Sequence, residues 1–384
     1  MRRRIFRRRT LALVALGCIL LYISGKILNL KSPADVDVIY HALASNLRLS
    51  GSVSKFNNVK QATRYGRRPR FAEVDCGAIL NGDEVEIDDA WNIMNDTNFT
   101  RNAITELQYI EETRDCDVFK TSRGYGFYNV SEEEKNFPVA YSILLYKDVE
   151  QAERLLRALY APQNHFCLHI DMDAKFEVHK AVQGIADCFD NVFVVSRKEY
   201  IVYGGFTRLQ ADLNCMDNLL QNKRRWYYFI NLPSQEFPLK TNAEIVKILN
   251  TYNGANDIEG LTGGRRIADR YKFRHIYRRE KNKIKPRPIR TKTEKEPPPG
   301  NITVVKGSAY GVFSRPFVEF VSNAKYSREL LDWFRDVLSP DEYYWATLQY
   351  NLQIGVPGSY YTGENNAFFE FCLHLNNNFN VSFM

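Results

Sequence analysis

Four short apolar runs separated by amphipathic stretches, all between residues 139 and 232, restrict the fold more than any other feature of this chain. Val139 to Tyr146 is apolar and of strand length. Asp148 to Tyr160 follows, with Val149, Ala152, Leu155, Leu156 and Leu159 on one helical face. The pattern then repeats: His165 to Asp171 reads as strand, Phe176 to Cys188 as helix, Asn191 to Ser196 as strand, Thr207 to Leu220 as helix and Trp226 to Leu232 as strand. Strands separated by helices imply right-handed crossovers and a mostly parallel sheet covered by helices on both faces. The expected class is therefore α/β, and in such a sheet ligands bind beyond the carboxyl ends of the strands.

The flanks read differently. From Leu28 to about Asn136 the sequence is polar and mixed, a stem leading into the first elements of a domain. Between Arg265 and Lys295 stand fourteen Lys/Arg against three acidic residues, and Pro297-Pro298-Pro299-Gly300 follows. This basic stretch, 265–300, reads as a solvated loop with partial disorder; the sharper alternative is a surface for anionic glycans, nucleotide phosphate or an acidic partner. Beyond it, Asn301 to Phe313 reads as strand, and Pro316 to Asn323 and Ser327 to Val337 as helices. Ser339-Pro340-Asp341-Glu342 marks a further helix start, with Ser339 as N-cap and Pro340 at the first helical position.

Charge and cysteines bear on the compartment. With 52 Lys+Arg against 45 Asp+Glu the formal charge is +7, and Arg2, Arg3, Arg4, Arg7, Arg8 and Arg9 supply six of it, leaving 7 − 6 = +1 for the rest. A nucleic-acid binder carries its basic surface on the fold, so that class is excluded. Residues 10–25 are uncharged and apolar, and as a helix would rise ~24 Å, a little short of an average hydrocarbon core. A cleaved signal peptide is the alternative, but no small-x-small cleavage site follows. Residues 10–25 are accordingly read as a single-pass signal anchor, with 1–9 cytoplasmic and everything past Lys26 luminal, in a thin membrane of the early secretory pathway. Outside Cys18, the cysteines are Cys76, Cys116, Cys167, Cys188, Cys215 and Cys372, an even set in an oxidising compartment, and spacing does not choose among their pairings. The absence of any CxxC pair argues against structural zinc. Sequons at Asn95, Asn98, Asn129, Asn301 and Asn380 fit luminal exposure.

Two carboxylate groups are candidates for chemistry. Glu342, in the first turn of its expected helix beside Tyr343, Tyr344 and Trp345, could take a proton from a sugar hydroxyl; its bland role is that of a helix-dipole partner. Asp171-Met172-Asp173 at the end of the second strand has the spacing that holds a divalent metal on a nucleotide diphosphate, but Asp115-Cys116-Asp117 has it too, where nothing points to a site. No P-loop or dinucleotide fingerprint is present, which excludes the usual phosphoryl-transfer and nicotinamide chemistries. His165 and His169 fall within the second strand and read as packed residues.

Several segments taken together resemble one family. They are Ala140-Tyr-Ser-Ile, Leu155-Leu-Arg-Ala-Leu-Tyr-Ala-Pro-Gln-Asn164, Cys167-Leu-His-Ile-Asp171, Gln210-Ala-Asp-Leu-Asn-Cys215, Phe237-Pro-Leu-Lys-Thr-Asn242, Gly307-Ser-Ala-Tyr310 and Ser339-Pro-Asp-Glu-Tyr343 with Trp345-Ala-Thr347. In this order they resemble the core 2/I-branching β-1,6-N-acetylglucosaminyltransferases, relatives of the peptide O-xylosyltransferases, over residues 115–359, with 26–114 as stem and lead-in.

The resemblance implies a GT-A-type, Rossmann-like glycosyltransferase in the Golgi membrane that inverts the anomeric centre without metal or other cofactor, using a UDP-sugar as co-substrate and an O-glycan on a glycoprotein as acceptor. N-acetylglucosamine is the default sugar, added in β-1,6 linkage to the core 1 disaccharide. Glucose or xylose transfer is an alternative, and so is a catalytically inactive glycan-binding member. The resemblance puts the general base on Glu342, donor contacts on Leu144, Asp171 and Tyr203, and acceptor contacts on Glu259 and Arg266. It pairs Cys116 with Cys188 and Cys167 with Cys215. Pro233 replaces the family's free cysteine after Ile-Asn-Leu. Residues 360–384 do not align with the family's pattern, in which later basic side chains hold the diphosphate, so the expectation is either a shortened form with weakened activity or substitution by Lys306, Arg208 or the Arg265 cluster.

Overall fold

The computed structural model describes residues 74–95, 103–126, 129–222, 224–261, 267–279 and 285–359. The expected anchor at 10–25, the sequons at Asn98 and Asn380, Arg266, Cys372 and the segment 360–384 lie outside the described residues. No helix among the described residues is long and apolar enough to cross a membrane. The chain divides into two compact units after Ile87. In the first, Asp75 caps the helix Cys76–Leu80 by accepting from the Gly77 and Ala78 amides. All the described strands lie in the second unit.

Seven strands are described: β1 (Val139–Leu145), β2 (His165–Ile170), β3 (Val192–Val194), β4 (Tyr228–Pro233), β5 (Phe273–Arg278), β6 (Arg287–Glu294) and β7 (Val312–Ser314). Five form one sheet in the order β3-β2-β1-β4-β7, parallel except for β7 against β4. The helices between them, Val149–Leu159, Phe176–Asp187 and Phe206–Gln221, match the expected spans to within a residue or two at each end.

Strand alternation sorts the side chains into two cores. Tyr141, Ile143, Phe166, Leu168, Ile230 and Leu232 pack with Leu155, Leu156, Val182 and Ile185 on one face. Ala140, Cys167 and Phe229 pack with Leu209, Leu213, Phe317 and Trp345 on the other. The mixed α/β class and the helices on both faces are thus as the periodicity indicates. The helix Glu106–Glu112, in the expected stem, sends Tyr109 into the first core. Two disulfides tie helices to this frame, Cys116–Cys188 and Cys167–Cys215, with Cα separations of 5.0 and 5.7 Å. These are the pairs the family resemblance implies.

Two expectations fail. The stretch 301–313 is strand only from Val312. Before that it forms a single bridge, Leu261 with Lys306, and then docks on β4, where Asn231 accepts from the Gly311 amide and donates to the Ala309 carbonyl. In the run 302–305 the Thr303 and Val305 backbone groups bond to the Asn351 and Thr347 side chains rather than to a strand among the described residues. The basic stretch is not a loop either: it forms the helix Asp269–Lys272 and the antiparallel hairpin β5–β6. The charges that hide this hairpin in the sequence lie mostly outward, while His275 is buried and its amide donates to the Asp336 carbonyl.

Candidate active site

The first half of the site grows from the carboxyl ends of β1 and β2. Leu144 lies between His169 and Pro233 in the sheet, and the Asp171 amide donates to Leu145 one residue on. Asp171 is buried, 5 % exposed. Its Oδ1 accepts from the Asp173 and Ile201 amides at 3.1 and 3.2 Å, and its Oδ2 accepts from Lys285 Nζ at 2.6 Å. Lys285 also lies 3.5 Å from Asp173 Oδ2. Burial works against the lysine's charge, but the Asp171 hydrogen bond and the two carboxylates outweigh it and raise the Lys285 pKa. Tyr203, two residues past Ile201, is 95 % exposed at the rim. Leu144 and Asp171 thus lie at the carboxyl ends of the neighbouring strands β1 and β2, and Tyr203 follows shortly after the Ile201 amide that Asp171 holds. Among the described residues no cluster of three His, Cys, Asp or Glu could hold a metal ion. The second Asp-x-Asp is a helix cap, Asp115 accepting from the Asp117 and Val118 amides.

The second half is built by the Ser339 to Glu342 turn. Ser339 is not the expected side-chain cap: its φ is 51°, it makes no capping hydrogen bond, and Pro340–Glu342 is one 3-10 turn. A turn this short has little dipole to offer Glu342. Explicit cations hold the carboxylate instead. Arg270 Nη1 lies 2.8 Å and Lys306 Nζ 3.0 Å from Glu342 Oε2. Both reach the same oxygen, so Oε1 carries no hydrogen bond among the described residues. The Gly307 amide donates to the Glu342 carbonyl at 2.7 Å, and Gly307 also packs against the Glu259 carbonyl, which brings Glu259 beside the turn. The halves meet where the Ser339 amide donates to the Gly204 carbonyl, next to Tyr203.

Beneath this turn is a buried charge network. Arg208 pairs with Asp212 at 2.6 Å, and Asp212 also accepts from Ser142 and Asn231. Asp341 is pushed up to about 6 by burial, with Arg208 pulling it down and Glu342 and Asp212 adding to the rise. Arg208 is thus mostly buried and paired through Nη1, while its Nη2 has no hydrogen-bond partner among the described residues. His165 and His169 are core residues, both pushed down to about 4 chiefly by burial, and His169 Nε2 accepts from the Glu199 amide. An open depression lined by Phe137, Tyr227, Tyr228 and Arg315 lies at the other end of β4, away from the carboxylates.

Of the residues anticipated from sequence, Glu259 is tied to the Glu342 turn through Gly307, Tyr203 is joined to that turn by the Ser339–Gly204 hydrogen bond, and Leu144 and Asp171 lie at the ends of β1 and β2. Arg270 and Lys285 were missed. Their only sequence signal is membership of the basic stretch, because what singles them out is a contact with carboxylates 72 and 114 residues away. Asn95, Asn129 and Asn301 are exposed.

Residues 139–374 match the family model described as "Core-2/I-Branching enzyme". The chain is similar to the beta-1,3-galactosyl-O-glycosyl-glycoprotein beta-1,6-N-acetylglucosaminyltransferase 3 of Rattus norvegicus, 39% identical over 281 residues, covering 73% of this chain and 63% of the relative. The Homo sapiens protein of the same name is 39% identical over 283 residues, with the same shares covered. A beta-1,3-galactosyl-O-glycosyl-glycoprotein beta-1,6-N-acetylglucosaminyltransferase of Bovine herpesvirus 4 (strain DN-599) is 36% identical over 336 residues, covering 87% of this chain and 73% of the relative. The match thus spans a little under two thirds of the length of the rat and human relatives.

Proposed function

The chain belongs to the core-2/I-branching enzyme family, and from that premise we propose that it is an inverting glycosyltransferase of GT-A type. It transfers N-acetylglucosamine from UDP-N-acetylglucosamine to a 6-hydroxyl of the core 1 disaccharide, Gal-β-1,3-GalNAc, on glycoproteins. Glu342 is the general base. Its carboxylate takes the hydroxyl proton as the acceptor oxygen bonds to C1 of the sugar. The C1–O bond to the diphosphate breaks with its electron pair leaving on UDP, and attack from the opposite face inverts C1.

One observation supports this reading: Arg270 and Lys306 hold Glu342 through its Oε2, on a side chain that stays 31% exposed. Glu259 and Arg270 are on the acceptor side, and Leu144, Asp171 and Tyr203 on the donor side. The reaction needs no divalent metal, since lysine and arginine side chains offset the charges. The protein is held in the Golgi membrane by residues 10–25 with its catalytic part in the lumen, where the two disulfides and the exposed sequons belong.

The test is to incubate the full chain in detergent with UDP-N-acetylglucosamine, UDP-glucose or UDP-xylose and a core 1 acceptor, with and without EDTA. A β-1,6-linked N-acetylglucosamine product by NMR, formed equally with chelator, is expected. Glucose or xylose transfer would change the donor, loss with EDTA would refute the metal-free step, and acceptor binding without transfer from any donor would make the protein a glycan binder.

A further inference from the structure

Resting on the reading of Glu342 as the base, we infer that Asn231 is a positioning residue for it: from inside the sheet its amide sets the course of the segment 306–311, which in turn holds Glu342. Asn231 lies on β4 beside Ser142 of β1, and Asn231, Ser142 and Asp212 are all fully buried. A side-chain amide offers two N–H donors and one carbonyl acceptor. Asn231 Nδ2 donates to Asp212 Oδ2 and to the Ala309 carbonyl, both at 2.9 Å, and its Oδ1 accepts from the Gly311 amide at 2.9 Å. Asp212 is itself held by Arg208 Nη1 at 2.6 Å and by the Ser142 hydroxyl at 3.1 Å. A carboxylate paired with an arginine only accepts, so Asp212 decides which end of the Asn231 amide is nitrogen and gives it one orientation.

Residues 307–311 belong to no strand or helix, so side-chain bonds rather than a ladder fix their path. One end of the segment is bonded to Asn231 through both a carbonyl and an amide. The other end meets the base. The Gly307 amide donates to the Glu342 carbonyl at 2.7 Å, and Lys306 Nζ lies 3.0 Å from Glu342 Oε2 and 3.2 Å from the Gly307 carbonyl. Without the Asn231 amide, the Ala309 carbonyl and Gly311 amide lose these partners, and the segment moves to recover them from solvent. Lys306 and Gly307 move with it, and the carboxylate they hold is displaced.

A buried asparagine that only stabilises the fold would make the same bonds, so the test asks whether its effect passes through Lys306. The full chain, Asn231→Ala, Lys306→Met and the double variant are compared by kcat for sugar transfer, each below its unfolding transition. Each single variant should lower kcat about tenfold, for a displacement smaller than the ~1 Å that costs about 10²-fold. The double variant should stay within about threefold of either single one, because both changes release the same hold on the carboxylate. Losses that multiply to about a hundredfold overturn the inference. Hydrogen–deuterium exchange at the Gly307 amide should quicken about tenfold in Asn231→Ala, and unchanged exchange overturns it too. Should Asn231→Ala fail to fold, Ser142→Ala removes one bond from Asp212 and leaves Asn231 in place; its loss of about threefold should likewise vanish in the Lys306→Met background, and a loss that persists there overturns the inference. Absence of any transfer by the unaltered chain would instead overturn the reading of Glu342, while the exchange measurement still decides whether Asn231 holds the segment.

Discussion

Gly307 opens the Gly-Ser-Ala-Tyr segment, and its substitution by alanine tests how closely the site is fitted. A Cβ there would sit 2.0 Å from the Glu259 carbonyl oxygen and 3.0 Å from Ala346 Cβ. Ordinary contact begins at 3.4 Å, so the backbone carrying Glu259 and the backbone hydrogen-bonded to Glu342 must separate by about 1.4 Å, and Ala346 blocks an escape to the other side. A misplacement of about 1 Å costs about 10²-fold in rate, and overpacking costs about 1–3 kcal/mol in stability. Gly307→Ala should therefore lower kcat by about two orders of magnitude and lower Tm by several degrees. Assayed below both unfolding transitions, the kcat loss reports geometry rather than unfolding. Wild-type kcat together with an unchanged Tm would refute the close packing of Glu259 against the Glu342 turn.

Two further outcomes follow from the buried charges. Arg208→Met strands Asp212, which is fully buried, and should cost about 3 kcal/mol by urea denaturation, most of it regained when Asp212→Asn is added; a loss within experimental error would show that the pair is not desolvated. His169 has its folded pKa depressed to about 4, below the ordinary 6.5, so the unfolded chain binds the extra proton between those values and the histidine's contribution is lost as pH falls from 6.5 towards 4. His169→Gln should shrink the stability difference between pH 7 and pH 4 by about 3 kcal/mol, and an unaltered difference would mean that His169 titrates freely.

Legibility in the sequence followed the range of the forces involved. Strands β1 to β4 and their helices were readable because burial on both faces writes a local apolar period, as with Val149, Ala152, Leu155, Leu156 and Leu159. The disulfide pairs are not readable from spacing and follow from the family resemblance, as do the roles proposed for Leu144, Tyr203 and Glu259. Asn301 to Phe313 was misread because strand propensity says nothing about whether a neighbour is available, and this segment has Leu261 at one point and Asn231 at another. Ser339 carries the right residue type for a cap but sits in the left-handed region, with its amide spent on Gly204. Hairpin β5–β6 was hidden by charge, and Arg270 and Lys285 with it. No local pattern distinguishes a lysine facing solvent from one that reaches Asp171 across the fold.

Glu342→Gln offers the most direct measurement, because it keeps the side chain's size and removes only its capacity to take a proton. With UDP affinity measured by calorimetry on the same preparation, transfer of N-acetylglucosamine to the core 1 acceptor should fall by about 10³-fold while UDP binds as before. Transfer at the unaltered rate, with UDP bound normally, would contradict Glu342 as the base.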